Sequence, residues 1–249
     1  MSARQLRAAG AILALALTSA CATEPVTPQR PPTARSVIGT SVEGRPIEAI
    51  RIGPDVQGGV LVLASIHGSE PAGTPLLREL ERALALHPDA WSTEPITLVP
   101  IANPDGYARR SRTNSRGIDL NRNFPADNFA TSERHGESPL SEPESRALER
   151  LVVERRPRRI VSIHQPLACI DWDGPGEDVV RAASAFGALP VKRLGGRPGS
   201  LGSWGGLTLG IPVITLELRA GDDLESSGAL FARYGDTLLS LVRLDPTPE

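Results

Sequence analysis

Apolar runs separated by polar loops set the plan of this chain. Residues 60–66 read Val-Leu-Val-Leu-Ala-Ser-Ile, which is short and apolar at successive positions and so predicts a strand buried on both faces. Further apolar runs predict strands at about 96–102, 160–164 and 212–218. Ahead of them, residues 36–42 and 47–52 alternate apolar and polar around Glu43-Gly44-Arg45-Pro46, the pattern of a hairpin. Between strands the period changes. Leu76, Leu77, Leu80, Ala83 and Leu84 fall on one stripe, predicting a helix with Pro75 in its first turn that runs to about His87. Ser141-x-x-Glu144 reads as a capping box, opening a helix with Leu148, Leu151 and Val152 inside. Other helices are predicted near 177–188 and 226–243. This alternation predicts an α/β fold, a three-layer sandwich whose central sheet is mixed but mostly parallel. The polar stretch from about 103 to 140 has little periodicity, a length that a compact domain keeps for function. Residues 195–210 are glycine-rich, and no internal repeat is visible.

Composition narrows the classes. With 249 residues, 40% hydrophobic and 22% charged, the chain suits one globular domain with a substantial core. Net charge is −2, and Lys192 is the only lysine; the arginines are interleaved with acids, which argues against a nucleic-acid footprint. Residues 1–20 read as an export signal, with Arg4 and Arg7 followed by an apolar stretch too short to span a bilayer. Leu17-Thr18-Ser19-Ala20-Cys21 resembles a bacterial lipoprotein box, in which Cys21 carries the lipid; ordinary cleavage after Ala22 is the alternative. Either reading exports the protein to the periplasm or cell envelope. Residues 21–36, with Pro25, Pro28, Pro31 and Pro32, read as a semi-rigid tether, leaving 37–249 as the domain.

The chemistry gathers at predicted strand ends. His67 and Glu70 follow the 60–66 strand, His164 ends the 160–164 strand, and Glu217 sits in the 212–218 strand. In open α/β sheets ligands bind at the carboxyl ends of strands. Catalytic zinc takes three protein ligands and leaves a position open, and His, Glu and His is one such set. Of the other histidines, His87 precedes Pro88 at a helix end and reads as a surface residue. His135 lies in a polar loop, as a solvated side chain or a substrate contact. Cys169 reads either as a thiolate ligand or as a small buried residue. Glu217, flanked by Ile214, Leu216 and Leu218, is a carboxylate in an apolar strand, where ionisation is costly; a salt bridge to Arg219 is its plainest structural role.

Taken in order, His67-Gly68-Ser69-Glu70, Asn103-Pro104-Asp105-Gly106, Asn121-Arg122-Asn123-Phe124, His164 and Thr215-Leu216-Glu217 resemble the zinc carboxypeptidase family, from about Ser36 onward. The resemblance implies one zinc ion held by His67, Glu70 and His164. It implies that Glu217 is the general base that takes a proton from the attacking water. It makes Asn121 and Arg122 the clamp for the substrate carboxylate, and Arg112, in Arg112-Thr113-Asn114, the group that holds the oxyanion.

Two departures separate the chain from the digestive members. Ser69 stands where they carry arginine, and residues 193–208 contain no tyrosine; Trp204 is there either to cap the pocket or to pack. The shorter domain and the segment from Ser162 to Asp171 resemble the murein peptide amidase branch, which cuts the γ-D-glutamyl–meso-diaminopimelate bond of cell-wall peptides. Asp171 and Asp173 would then receive the second ammonium of diaminopimelate, or else belong to an ordinary solvated turn. The expected partner is a peptide, with no nucleic acid and no membrane contact beyond the N-terminal lipid. Competing readings are a general carboxypeptidase, an N-acyl amino acid deacylase, and a non-catalytic envelope lipoprotein that binds muropeptides.

Overall fold

The computed structural model describes residues 31–187 and 189–243. The leader and most of the tether, 1–30, lie outside the described residues. Among those described, seven strands form one sheet: β1 (Thr33–Thr40), β2 (Pro46–Ile52), β3 (Val60–Ala64), β4 (Ile96–Val99), β5 (Arg159–His164), β6 (Leu167–Asp173) and β7 (Val213–Arg219). Their order is β1-β2-β4-β3-β5-β7-β6. The four inner strands β4, β3, β5 and β7 run parallel, while β1, β2 and β6 are antiparallel to their neighbours. The sheet is therefore mixed, with a parallel centre, as the alternation of elements predicted.

Helices α1 (Gly73–Ala83), α4 (Glu177–Ser184) and α5 (Ser227–Val242) cover one face, and α3 (Pro143–Arg155) covers the other. Strand β3 shows why the inner runs are apolar throughout. Val60, Val62 and Ala64 pack among Leu76, Leu77, Leu80 and the α5 leucines, while Leu61 and Leu63 pack with Leu148, Leu151 and Val152. Alternate side chains leave opposite faces of a strand, so a strand covered on both sides must be apolar at every position.

Several elements differ from expectation. Strand β1 begins at Thr33, taking the last residues assigned to the tether; Thr33 to Ser36 pair with Ile52 to Ala49. These first residues, Thr33 to Ser36, are all exposed and carry no apolar alternation to read. The Asn-Pro-Asp-Gly segment opens a short helix, α2 (Pro104–Arg109), inside the stretch that shows little periodicity. Asn103 Oδ1 accepts the Gly106 N–H at 2.9 Å, and Pro104 occupies the first turn. The capping box at Ser141 does not form. Glu142 is the N-cap residue of α3, and Glu144 instead accepts from the Val42 N–H and the Asn114 side chain. The glycine-rich stretch contains a π-helical turn, Gly202–Thr208.

Candidate active site

Parallel β3, β5 and β7 end at the same edge, and that edge carries the chemistry. His164 and Glu217 are register partners on adjacent strands. His67 lies three residues past the end of β3, on a loop tied to the segment after β4. Ala102 N–H and Asn103 N–H donate to Ala64 and Ser65 carbonyls, and Asn103 Nδ2 donates to the Ile66 carbonyl. The loop turns at once, with Glu70 N–H donating to the His67 carbonyl at 3.0 Å. Gly68 passes so close to α2 that a Cβ there would lie 1.9 Å from the carbonyl carbon of Gly106. Only a glycine lets the backbones cross at that distance.

His67, Glu70 and His164 converge as the sequence predicted, with one ligand atom from each within 4.8 Å of the others. His67 Nδ1 and His164 Nδ1 are 3.2 Å apart, and Glu70 lies 2.9 Å from each through its two oxygens. The other ring nitrogens are held from behind. His67 Nε2 is 3.1 Å from Asp119 Oδ1, and His164 Nε2 is 2.9 Å from Ser162 Oγ. Two imidazoles presenting the same nitrogen to one point, each fixed through its far nitrogen, match the arrangement of catalytic metal ligands. The donor set fits zinc. Burial opposes ionisation of Glu70, but hydrogen bonds from His164 and His67 prevail and hold its carboxyl well below the usual range.

Glu217 stands beside this cluster, nearly buried. Burial raises its pKa, partly countered by His164 and by the Leu167 N–H, which donates to Oε2 at 3.3 Å. A cavity of about 500 Å³ opens over these groups and is also lined by Arg112, Asn121, Arg122 and Arg197. Arg112 Nε donates to Asp119 Oδ2 at 2.9 Å and Nη1 to Glu70 Oε1 at 3.2 Å, so the side chain is aimed by the metal-side acids. Asn121 Oδ1 accepts the Leu201 N–H at 2.9 Å, and Arg122 donates to the Asn121 carbonyl.

Asp171 and Asp173 are not in a solvated turn. They lie on β6, where Ile170 and Trp172 enter the core and the two acids line the cavity. The acids hid this strand, because Asp-x-Asp-Gly reads as a turn. Asp171 Oδ1 accepts the Leu194 N–H at 2.9 Å.

The remaining side chains singled out in the sequence sit apart from the metal cluster. Trp204 packs, stacked on Phe124 with centroids 5.4 Å apart, and does not cap the cavity. Cys169 is fully buried outside the His-Glu-His cluster, and burial pushes its thiol up. His135 is held in its own loop by the Ala130 carbonyl, and His87 meets Arg243. Sequence reasoning assigned no role to Asp119, Ser162 or Arg197. Asp119 stands two residues before Asn121, and a carboxylate in a short polar segment gives no hint of which histidine it will meet.

A family model described as zinc carboxypeptidase matches residues 26–171. Murein peptide amidase A of Escherichia coli (strain K12) is 34% identical over 207 residues, covering 75% of this chain and 80% of that protein. Its namesake in Vibrio campbellii is 29% identical over 226 residues, covering 84% and 87%. Among solved structures, murein-tripeptide amidase from Escherichia coli O157 matches with a TM-score of 0.67 at 31% identity, covering 86% of this chain and 94% of that one.

Proposed function

The chain belongs to the zinc carboxypeptidase family and is a hydrolase, and we propose that it cuts the γ-D-glutamyl–meso-diaminopimelate amide bond of cell-wall peptides. The observation that carries this reading is the cavity itself. Arginines line it together with the His-Glu-His cluster, and it also contains two acids on an otherwise apolar strand. Diaminopimelate presents a carboxylate next to the scissile amide and a second amino-acid head at its far end. A cavity with cationic and acidic linings suits both.

His67, Glu70 and His164 would hold one zinc ion, which would supply Lewis-acid polarisation and acidify a bound water. Asn121 and Arg122 clamp the carboxylate beside the scissile bond. The Asn121 oxygen is committed to Leu201, which leaves its Nδ2 to donate to substrate, and the planar guanidinium of Arg122 suits two-point binding. Glu217, with one oxygen steadied by Leu167, takes the proton of the attacking water and passes it to the leaving amine. Burial raises its pKa, the direction that suits a group that must take and then release a proton. Arg112, fixed through Nε and Nη1, donates to the oxyanion. Asp171 shapes the far end of the cavity. The export signal and tether expected at 1–36 would deliver the domain to the envelope, held by lipid at Cys21.

A general carboxypeptidase preferring basic residues is the second reading, favoured by the acids alone. Mass spectrometry of L-Ala-γ-D-Glu-meso-diaminopimelate after incubation with the purified protein, with and without a zinc chelator, separates the two. Chelator-sensitive release of free diaminopimelate supports the amidase. No release from the tripeptide, with C-terminal lysine cut from ordinary peptides, moves the function to the second reading.

A further inference from the structure

Asp173 stands out among the groups lining the cavity. It is 7% exposed, yet among the described residues its carboxylate accepts no hydrogen bond and joins no ion pair. A buried carboxylate without a donor is costly, and such a group is kept where a ligand supplies the missing partner. Its surroundings are shaped to admit it. A Cβ on Gly202 would lie 2.0 Å from Asp173 Oδ2, so the π-helical turn passes over this carboxylate with no side chain at that point. The cation whose charge reaches it does not bond it. Arg193 exerts a favourable charge effect on Asp173, but its guanidinium lies over the Trp172 ring, 4.6 Å from the centroid. Asp171 differs, because one of its oxygens is already occupied by the Leu194 N–H. Arg197 lines the same cavity, and its guanidinium enters no ion pair among the described residues.

Building on the amidase reading, we infer that Asp173 and Arg197 together recognise the zwitterionic far end of the substrate side chain, Asp173 taking its ammonium and Arg197 its carboxylate. Asp171 is then a positioning residue. It anchors the backbone at Leu194, at the start of the segment that carries Arg197. Asp173 and Arg197 make separate demands on the substrate. Lysine satisfies Asp173 alone, and norleucine satisfies neither.

The test compares three tripeptides, L-Ala-γ-D-Glu followed by meso-diaminopimelate, L-lysine or L-norleucine, with kcat and KM read for the zinc-loaded enzyme and its variants. Asp173→Asn should lower the preference of both charged side chains over norleucine by ~10- to 100-fold, mostly in KM, the scale of one charged hydrogen bond, bringing lysine level with norleucine and leaving diaminopimelate only the part that Arg197 supplies. Arg197→Ala should lose the preference for diaminopimelate over lysine while keeping lysine ahead of norleucine. Asp171→Asn should slow all three alike, and Asp173→Glu should recover part of the preference. An Asp173→Asn enzyme that still ranks diaminopimelate and lysine far above norleucine overturns the inference and leaves the amidase reading standing. A wild-type enzyme that cuts none of the three overturns the amidase reading itself.

Discussion

Removing the carboxylate behind His67 should weaken metal binding without unfolding the protein. Asp119 makes three separate contacts. Oδ1 lies 3.1 Å from His67 Nε2 and also accepts the Asn121 N–H at 3.0 Å, while Oδ2 accepts Arg112 Nε at 2.9 Å. The first contact fixes the ring so that Nδ1 faces Glu70 and His164. Losing such a partner lowers metal affinity by roughly 10- to 100-fold, which is about 1.4 to 2.7 kcal/mol. The Arg112 contact counts for less in stability, since that side chain is 43% exposed and solvent screens the pair. Asp119→Asn keeps an oxygen for the Asn121 N–H but loses the charge, so it should fall near the lower limit. Asp119→Ala loses both and should fall near the upper one. Zinc affinity is measured by competition with a chromophoric chelator, and urea unfolding of the metal-stripped protein serves as the control. Binding of zinc by Asp119→Ala as tightly as by wild type would refute the idea that Asp119 orients His67.

Other outcomes follow from the same geometry. Glu217→Gln should bind zinc with little change, yet lose on the order of 10²- to 10⁴-fold in turnover, the range of a lost acid–base group; comparable loss of zinc affinity would make Glu217 a ligand instead. Gly68→Ala should be destabilising and should cost zinc affinity, because its Cβ would meet the Gly106 backbone at 1.9 Å; a wild-type urea midpoint would contradict the crossing. Burial first, and the charge of Asp171 second, push Asp173 up from 3.8 to about 6. The folded state therefore holds this proton more tightly than the unfolded one, so this group's contribution to stability falls as pH rises from about 4 to about 6, by roughly 3 kcal/mol at most. Asp173→Asn should flatten that slope in urea midpoints taken at pH 4, 5 and 6.5, and an unaltered slope would count against it.

The parts legible in the sequence were those where one pattern had one cause. An apolar run of five to seven residues is short for a helix, so β3 and β5 could be placed from the letters alone, while the roles of His67, Glu70 and His164 came from the family resemblance. Strand β6 was hidden by conflicting signals. Ile170 and Trp172 alternate with Asp171 and Asp173, which is a strand pattern, but Asp-Gly-Pro-Gly follows immediately and reads as a turn. The capping box failed for a different reason. Ser141 and Glu144 have the right spacing, but Glu144 is required across the fold by Val42 and Asn114, so tertiary contacts override the local motif. Asp119 and Ser162 act only after folding brings distant strands together, and no local spacing records that.

The sheet order also divides labour mechanically. The histidines and Glu217 depend on β3, β5 and β7, each of which has a strand on both sides, so exposing them requires breaking the middle of the sheet. Asp171 and Asp173 ride on β6, an edge strand, bordered on its free side by backbone bonds between Ile170 and the segment at Pro190 and Lys192 and by the Leu194 N–H on Asp171. Opening that margin is a local event, and amide exchange should be faster along β6 than along β5. An engineer could therefore regraft the margin, from β6 through the glycine-rich segment, to change which side chain is admitted, while the machinery that breaks the amide stays intact in the centre.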